Sequence, residues 1–165
     1  MSKMKVDQAV MYKESTSINN FMTVAVTEAE KAAAKGECPV GAVIVQAGKI
    51  IGRGHNLRES ENNALLHAEI AAIDEACKSV GSWRLNGCNI YVTLEPCIMC
   101  AGAIINSRIE KLYFGAYDLK AGAAGGLLDV FDTKGLNHRV EVYGGIMEHE
   151  CGNLLTQFFK QLRRE

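Results

Sequence analysis

Two short motifs carry residues that can do chemistry together: His67-Ala68-Glu69 and, further on, Pro96-Cys97-Ile98-Met99-Cys100. Cys97 and Cys100 are three positions apart, so one helical turn sets both sulfurs on the same side. An imidazole and two thiolates form a donor set that suits zinc, and three protein ligands leave the fourth tetrahedral position for water. An open fourth position marks a catalytic site, whereas structural zinc sites are closed by another Cys or His. Helix N-termini favour the thiolate forms, and two thiolates offset the charge of Zn²⁺. Glu69 lies two residues after His67, and residues two apart on a regular helix point in different directions. His67 must therefore sit at a helix start if both side chains are to reach one site. Glu69 is then no ligand. It takes a proton from zinc-activated water and passes it to the substrate.

The elements that must position these motifs are readable from periodicity. Ile18, Phe21, Met22, Ala25, Ala29, Ala32 and Ala33 have helical spacing, and Gly36 is placed to end that helix. Residues 40–45 read as a short apolar strand, with Gly48 marking a hairpin turn before Ile50 and Ile51. Leu66, Ile70, Ile73 and Cys77 share one helical face, giving a helix over about residues 66–80. Ile90, Val92 and Leu94 alternate as in a strand, and Pro96 suits the first turn of a helix reaching about Asn106. A strand follows over 109–114, then a Gly/Ala-rich loop over 118–126 with a short helix over 127–131. A last strand around Val140 and Val142 leads into a helix with Met147, Cys151, Leu154, Leu155, Phe158 and Leu162 on its apolar face. Strands alternating with helices imply helices on both faces of a sheet. The expected fold is a single α/β three-layer α/β/α sandwich around a mixed sheet of about five strands. Both motifs begin helices at one end of that sheet, where open α/β folds bind ligands.

Composition narrows the class. The chain has 165 residues, 48% hydrophobic and 22% charged, which suits one globular domain and excludes a disordered or fibrous chain. Residues 1–16 are polar and aperiodic and read as a loose N-terminal arm, leaving 17–165 as the domain. No export-like apolar segment opens the sequence, and the longest uncharged stretch, residues 96–107, is too short to span a bilayer. A cytoplasmic protein with free thiols is expected, with no membrane association. Net charge is −1, so any nucleic-acid partner must be held by a local basic patch.

With these residues in view, the sequence resembles the zinc-dependent deaminases of nucleosides and nucleotides, and within them the bacterial tRNA-specific adenosine deaminases. The zinc signature is shared across that superfamily. Pro39-Val40-Gly41-Ala42-Val43, Tyr91-Val92-Thr93-Leu94-Glu95-Pro96-Cys97, Ser107-Arg108-Ile109, Gly122-Ala123-Ala124-Gly125 and Asn137-His138-Arg139-Val140-Glu141 carry the narrower likeness. Cys38 stands where an aliphatic residue is usual and Lys134 where Pro is frequent. The resemblance implies a cytidine-deaminase-like fold and one Zn²⁺ per chain on His67, Cys97 and Cys100, with Glu69 as proton carrier. It implies hydrolysis of adenosine to inosine at the first (wobble) anticodon position of tRNA by a homodimer. It also places Asn56 against the target nucleoside, Asp118, Lys120 and Asn137 along the RNA path, and Arg163 and Arg164 in a basic helix on the anticodon stem.

Two other readings compete. A deaminase of a free base or nucleotide (guanine, cytosine or deoxycytidylate) would need no basic face. A structural zinc module would need a fourth ligand from His55, Cys88, His138, His149 or Cys151 and would have no use for Glu69.

Overall fold

Alternation along the strands sorts side chains to two faces, and each face is covered by two helices. The computed structural model describes residues 8–164. Helix α1 (Gln8–Ala34) precedes the hairpin β1 (Gly41–Gln46) and β2 (Lys49–His55), followed by α2 (Ala68–Val80) and β3 (Cys88–Leu94). The chain continues through α3 (Ile98–Asn106), β4 (Lys111–Ala116), β5 (Glu141–Tyr143) and α4 (Glu148–Leu162). The five strands lie in the order β2-β1-β3-β4-β5. β1 pairs antiparallel with β2 and β3, whereas β3, β4 and β5 run parallel. Ala42, Ile44, Ile90, Val92, Leu112 and Phe114 pack toward Ala68, Ala72 and Ala76 of α2 and Ile104 of α3. Val43, Val45, Tyr91 and Tyr113 face the opposite layer, against Met22 and Ala25 of α1 and Cys151 of α4. The three-layer sandwich with a mixed five-stranded sheet is the one expected.

Small residues let α2 lie directly on the hairpin. A Cβ on Gly54 would fall 2.2 Å from the Ala68 carbonyl oxygen and 2.6 Å from the Ala72 nitrogen, so only glycine fits. This close contact brings the start of α2 to the end of β2, and α3 lies beside α2. The two helix starts therefore meet where β3 ends.

Two sequence expectations are corrected. The arm boundary at residue 17 falls inside α1, since residues 8–16 extend that helix; residues 1–7 lie outside the described residues. Lys13, Glu14, Ser15, Thr16 and Ser17 are exposed, so this part of the helix has no apolar stripe by which to read it. The short helix over 127–131 is replaced by turns and an isolated bridge between Ala124 and Asp129. The Leu127 and Leu128 amides donate back to the Gly122 carbonyl and the Val130 amide to that of Ala123, which takes these donors away from a helical ladder. Among the described residues no helix is long and apolar enough to cross a membrane, and all six cysteines are free.

Candidate active site

His67 is the N-cap of α2, with extended backbone (φ −76°, ψ 157°), so its side chain leaves the chain before the helix begins. Glu69 then projects from the first turn, and the two share one site as the spacing required. Cys97 caps α3 in the same way (φ −72°, ψ 174°), and Cys100 sits buried in that helix's first turn. His67 Nδ1 lies 3.6 Å from the Sγ of Cys97 and 3.6 Å from the Sγ of Cys100. A tetrahedral zinc with Zn–N near 2.0–2.1 Å and Zn–S near 2.3 Å sets N and S about 3.6 Å apart, so the donors have the spacing of a metal site. Among the described residues this is the one cluster of three such side chains whose donor atoms converge.

The candidate fourth ligands are engaged elsewhere. His55 lies between Glu28 (3.2 Å) and Lys35 (3.0 Å), His138 Nε2 is 2.6 Å from the Ile109 carbonyl, and His149 is paired with Asn153. Cys88 and Cys151 turn to backbone carbonyls. The triad keeps an open side, and that side faces a cavity of about 570 Å³.

Electrostatics fit a dication. A hydrogen bond from the Cys100 thiol, helped by His67, pushes Cys97 down to about 3, and the resulting thiolate pushes Cys100 up. Without a cation the two thiols cannot both ionise; a divalent metal removes that conflict. His67 is raised by its hydrogen bond with Cys97. Glu69 is 4% exposed, and burial lifts its carboxyl to about 7. It lines the same cavity as His67 and Cys97 and acts on the Cys100 thiol without belonging to the donor set.

Asn56 and Asp118 line this cavity. Asn56 is 8% exposed; its Nδ2 donates to the Cys38 carbonyl at 3.4 Å, and its Oδ1 accepts from the Arg58 amide at 3.2 Å. Asp118 Oδ1 accepts from the amides of Lys120 (2.9 Å) and Ala121 (3.1 Å). Lys120 and Arg163 border a neighbouring groove of about 520 Å³. Arg164 is exposed and lines neither hollow. Asn137 stands apart: it is exposed, and its Oδ1 accepts from Arg108 Nη1 at 2.9 Å, just beyond the far end of α3.

Sequence reasoning missed Phe159. It lines both hollows from the edge of the apolar stripe of α4, four residues after Leu155 and three before Leu162. The available signal was its helical spacing from Leu155 and Leu162; in the structure it is 48% exposed.

Residues 16–163 match the model of the MafB19-like deaminases. A tRNA-specific adenosine deaminase of Bacillus subtilis (strain 168) is 52% identical over 145 residues, covering 88% of this chain and 90% of its own. The chain belongs to the tRNA-specific adenosine deaminases. A second relative of this deaminase, the tRNA-specific adenosine deaminase of Streptococcus pyogenes serotype M18, is 48% identical over 143 residues, covering 87% and 90% of the two chains. Among solved structures, one from work on A-to-I editing by tRNA:A34 deaminases at the wobble position aligns with a TM-score of 0.78 and 43% identity. That alignment covers 82% of this deaminase and 99% of the other chain. The guanine deaminase of Nitrosomonas europaea shares the fold, with a TM-score of 0.73 at 23% identity over 85% and 83% of the chains.

Proposed function

We propose that this deaminase converts adenosine to inosine at the first anticodon position of tRNA, with one Zn²⁺ per chain on His67, Cys97 and Cys100. The observation that carries the reading is the three-donor set, open toward a cavity, with the buried Glu69 beside it. Bound zinc would supply the Lewis acidity that makes water nucleophilic near neutral pH. Water adds at C6, the C6–N bond breaks, and the amino group leaves as ammonia. Glu69 accepts the proton of the attacking water and returns it to the departing nitrogen. Asn56 and Asp118 wall the cavity that admits one nucleoside. A base inside a duplex cannot reach such a site, so the substrate is a splayed loop nucleotide. Lys120 and Arg163 beside the cavity supply positive charge for the flanking phosphates. A deaminase of free bases would have no use for that basic groove. The enzyme works in the cytoplasm.

The test is inosine formation on anticodon stem-loops. The loop with adenosine first in the anticodon should be deaminated, and binding should weaken steeply as salt rises. The same loop with guanosine there should be inert. Efficient deamination of free guanine, cytosine or deoxycytidylate, with the stem-loop ignored, would replace this reading with the runner-up.

The deaminase also acts as a homodimer, with α3 and residues 122–128 near the contact. Ile98 is 63% exposed at the start of α3 and Leu127 is 59% exposed, a costly display for a lone chain. Sedimentation should give twice the chain mass at micromolar concentration; a monomer there would count against the dimer.

A further inference from the structure

Glu95 follows β3 directly and precedes Pro96 and Cys97. It is 2% exposed. A carboxyl group this deep needs hydrogen-bond donors in place of the lost water. Its Oε2 accepts from the Asp118 amide at 2.8 Å, and its Oε1 accepts from the amides of Ala124 (2.9 Å) and Gly126 (2.7 Å). All three donors belong to one loop, residues 118–126. That loop meets the same strand end at one further point, where a backbone hydrogen bond is part of a β-bridge. The Ala123 amide donates to the Pro96 carbonyl at 2.8 Å, and Cys97 forms an isolated bridge with Gly122.

The loop's composition is cut to this carboxylate. A Cβ on Gly122 or on Gly126 would fall 2.3 Å from Glu95 Oε2, so neither position has room for a side chain. The same loop places Asp118 and Ala121 in the wall of the cavity that His67 and Cys97 also line. Three donors occupy most of the acceptor capacity of Glu95. Glu69, not Glu95, lies beside the donor set.

We propose that Glu95 is a positioning residue for substrate. It holds residues 118–126 in fixed register with Cys97, so that the wall receiving the target nucleoside keeps its distance from the metal donors. The proposal deepens the reading above and rests on it for the identity of the substrate. It also accounts for Gly122 and Gly126 in the Gly/Ala-rich run.

The test is Glu95→Gln in the zinc-loaded protein. Gln keeps the shape but accepts through one oxygen only and turns an amide N–H₂ toward the other donor. With the oxygen facing Ala124 and Gly126, the N–H₂ confronts the Asp118 amide. Hydrogen exchange at Asp118 should speed up about tenfold or more, with smaller changes at Ala124 and Gly126. The KM for the stem-loop should rise about tenfold, kcat should change less, and zinc content should match wild type. Glu95→Asp keeps the charge on a shorter arm and should recover part of the KM. If Glu95→Gln does not fold, Glu95→Asp carries the same readouts, with faster exchange in the loop and a raised KM expected. Wild-type exchange at all three amides would overturn the proposal. So would an unchanged KM accompanied by lost zinc, which would assign Glu95 to the metal site or to the fold. Exchange is read without RNA, so it judges Glu95 even if the stem-loop proves not to be the substrate.

Discussion

Glu69→Gln is expected to keep its zinc and to lose about 10²–10⁴-fold in turnover. The amide is nearly isosteric with the carboxyl, so the first turn of α2 and the buried environment persist. The donor atoms converging on the metal position belong to His67, Cys97 and Cys100, so none is removed. What disappears is the proton path. An amide neither accepts a proton from water nor returns one to the leaving nitrogen, and Glu69 is so buried that solvent cannot stand in for it. Single-turnover inosine formation beside zinc content by elemental assay checks both halves. Near-normal turnover would end the role assigned to Glu69. Loss of zinc would make it part of the metal site.

The catalytic core was legible because its constraints are local. Two residues three apart on a helix must share a side, and His67 and Glu69 can share a site only at a helix start. Both conditions follow from spacing, and the structure meets both, with His67 and Cys97 as N-caps. The sheet was legible for the same reason, since alternation in residues 88–94 sorts Ile90 and Val92 from Tyr91 without reference to any distant residue.

What escaped depends on contacts between segments far apart in sequence. A helix over 127–131 is locally reasonable, but the amides there are bound to carbonyls at Gly122 and Ala123. Glu95 reads as one acid among many until the three amides around it are seen. Phe159 sits at helical spacing from Leu155 and Leu162, at the edge of the apolar stripe, and only the packing of α4 shows that this edge lines the cavity. Asn137, assigned to the RNA path by resemblance, accepts a hydrogen bond from Arg108 within this chain. Motif position alone does not report such a pairing.

Cys100→Ser and Cys97→Ser should each cost more zinc affinity than the 10–100-fold typical of changes outside the ligand shell. A serine hydroxyl is a harder donor and stays protonated, so each substitution removes both a soft bond and one of the two negative charges that balance Zn²⁺. The two variants need not be equal. Cys97 is partly exposed at the cavity, where water can take the vacated position, whereas Cys100 is fully buried and its thiol also meets Glu69. Cys100→Ser should therefore lose at least as much metal as Cys97→Ser after dialysis. The fold should survive both, because the two hydrophobic clusters that join sheet and helices include none of the three donors. Circular dichroism beside metal content separates these effects. Full zinc retention in both variants would place the metal site elsewhere. Unfolding in step with zinc loss would mean that the triad holds the layers together, the behaviour of a structural centre and not of one open to substrate.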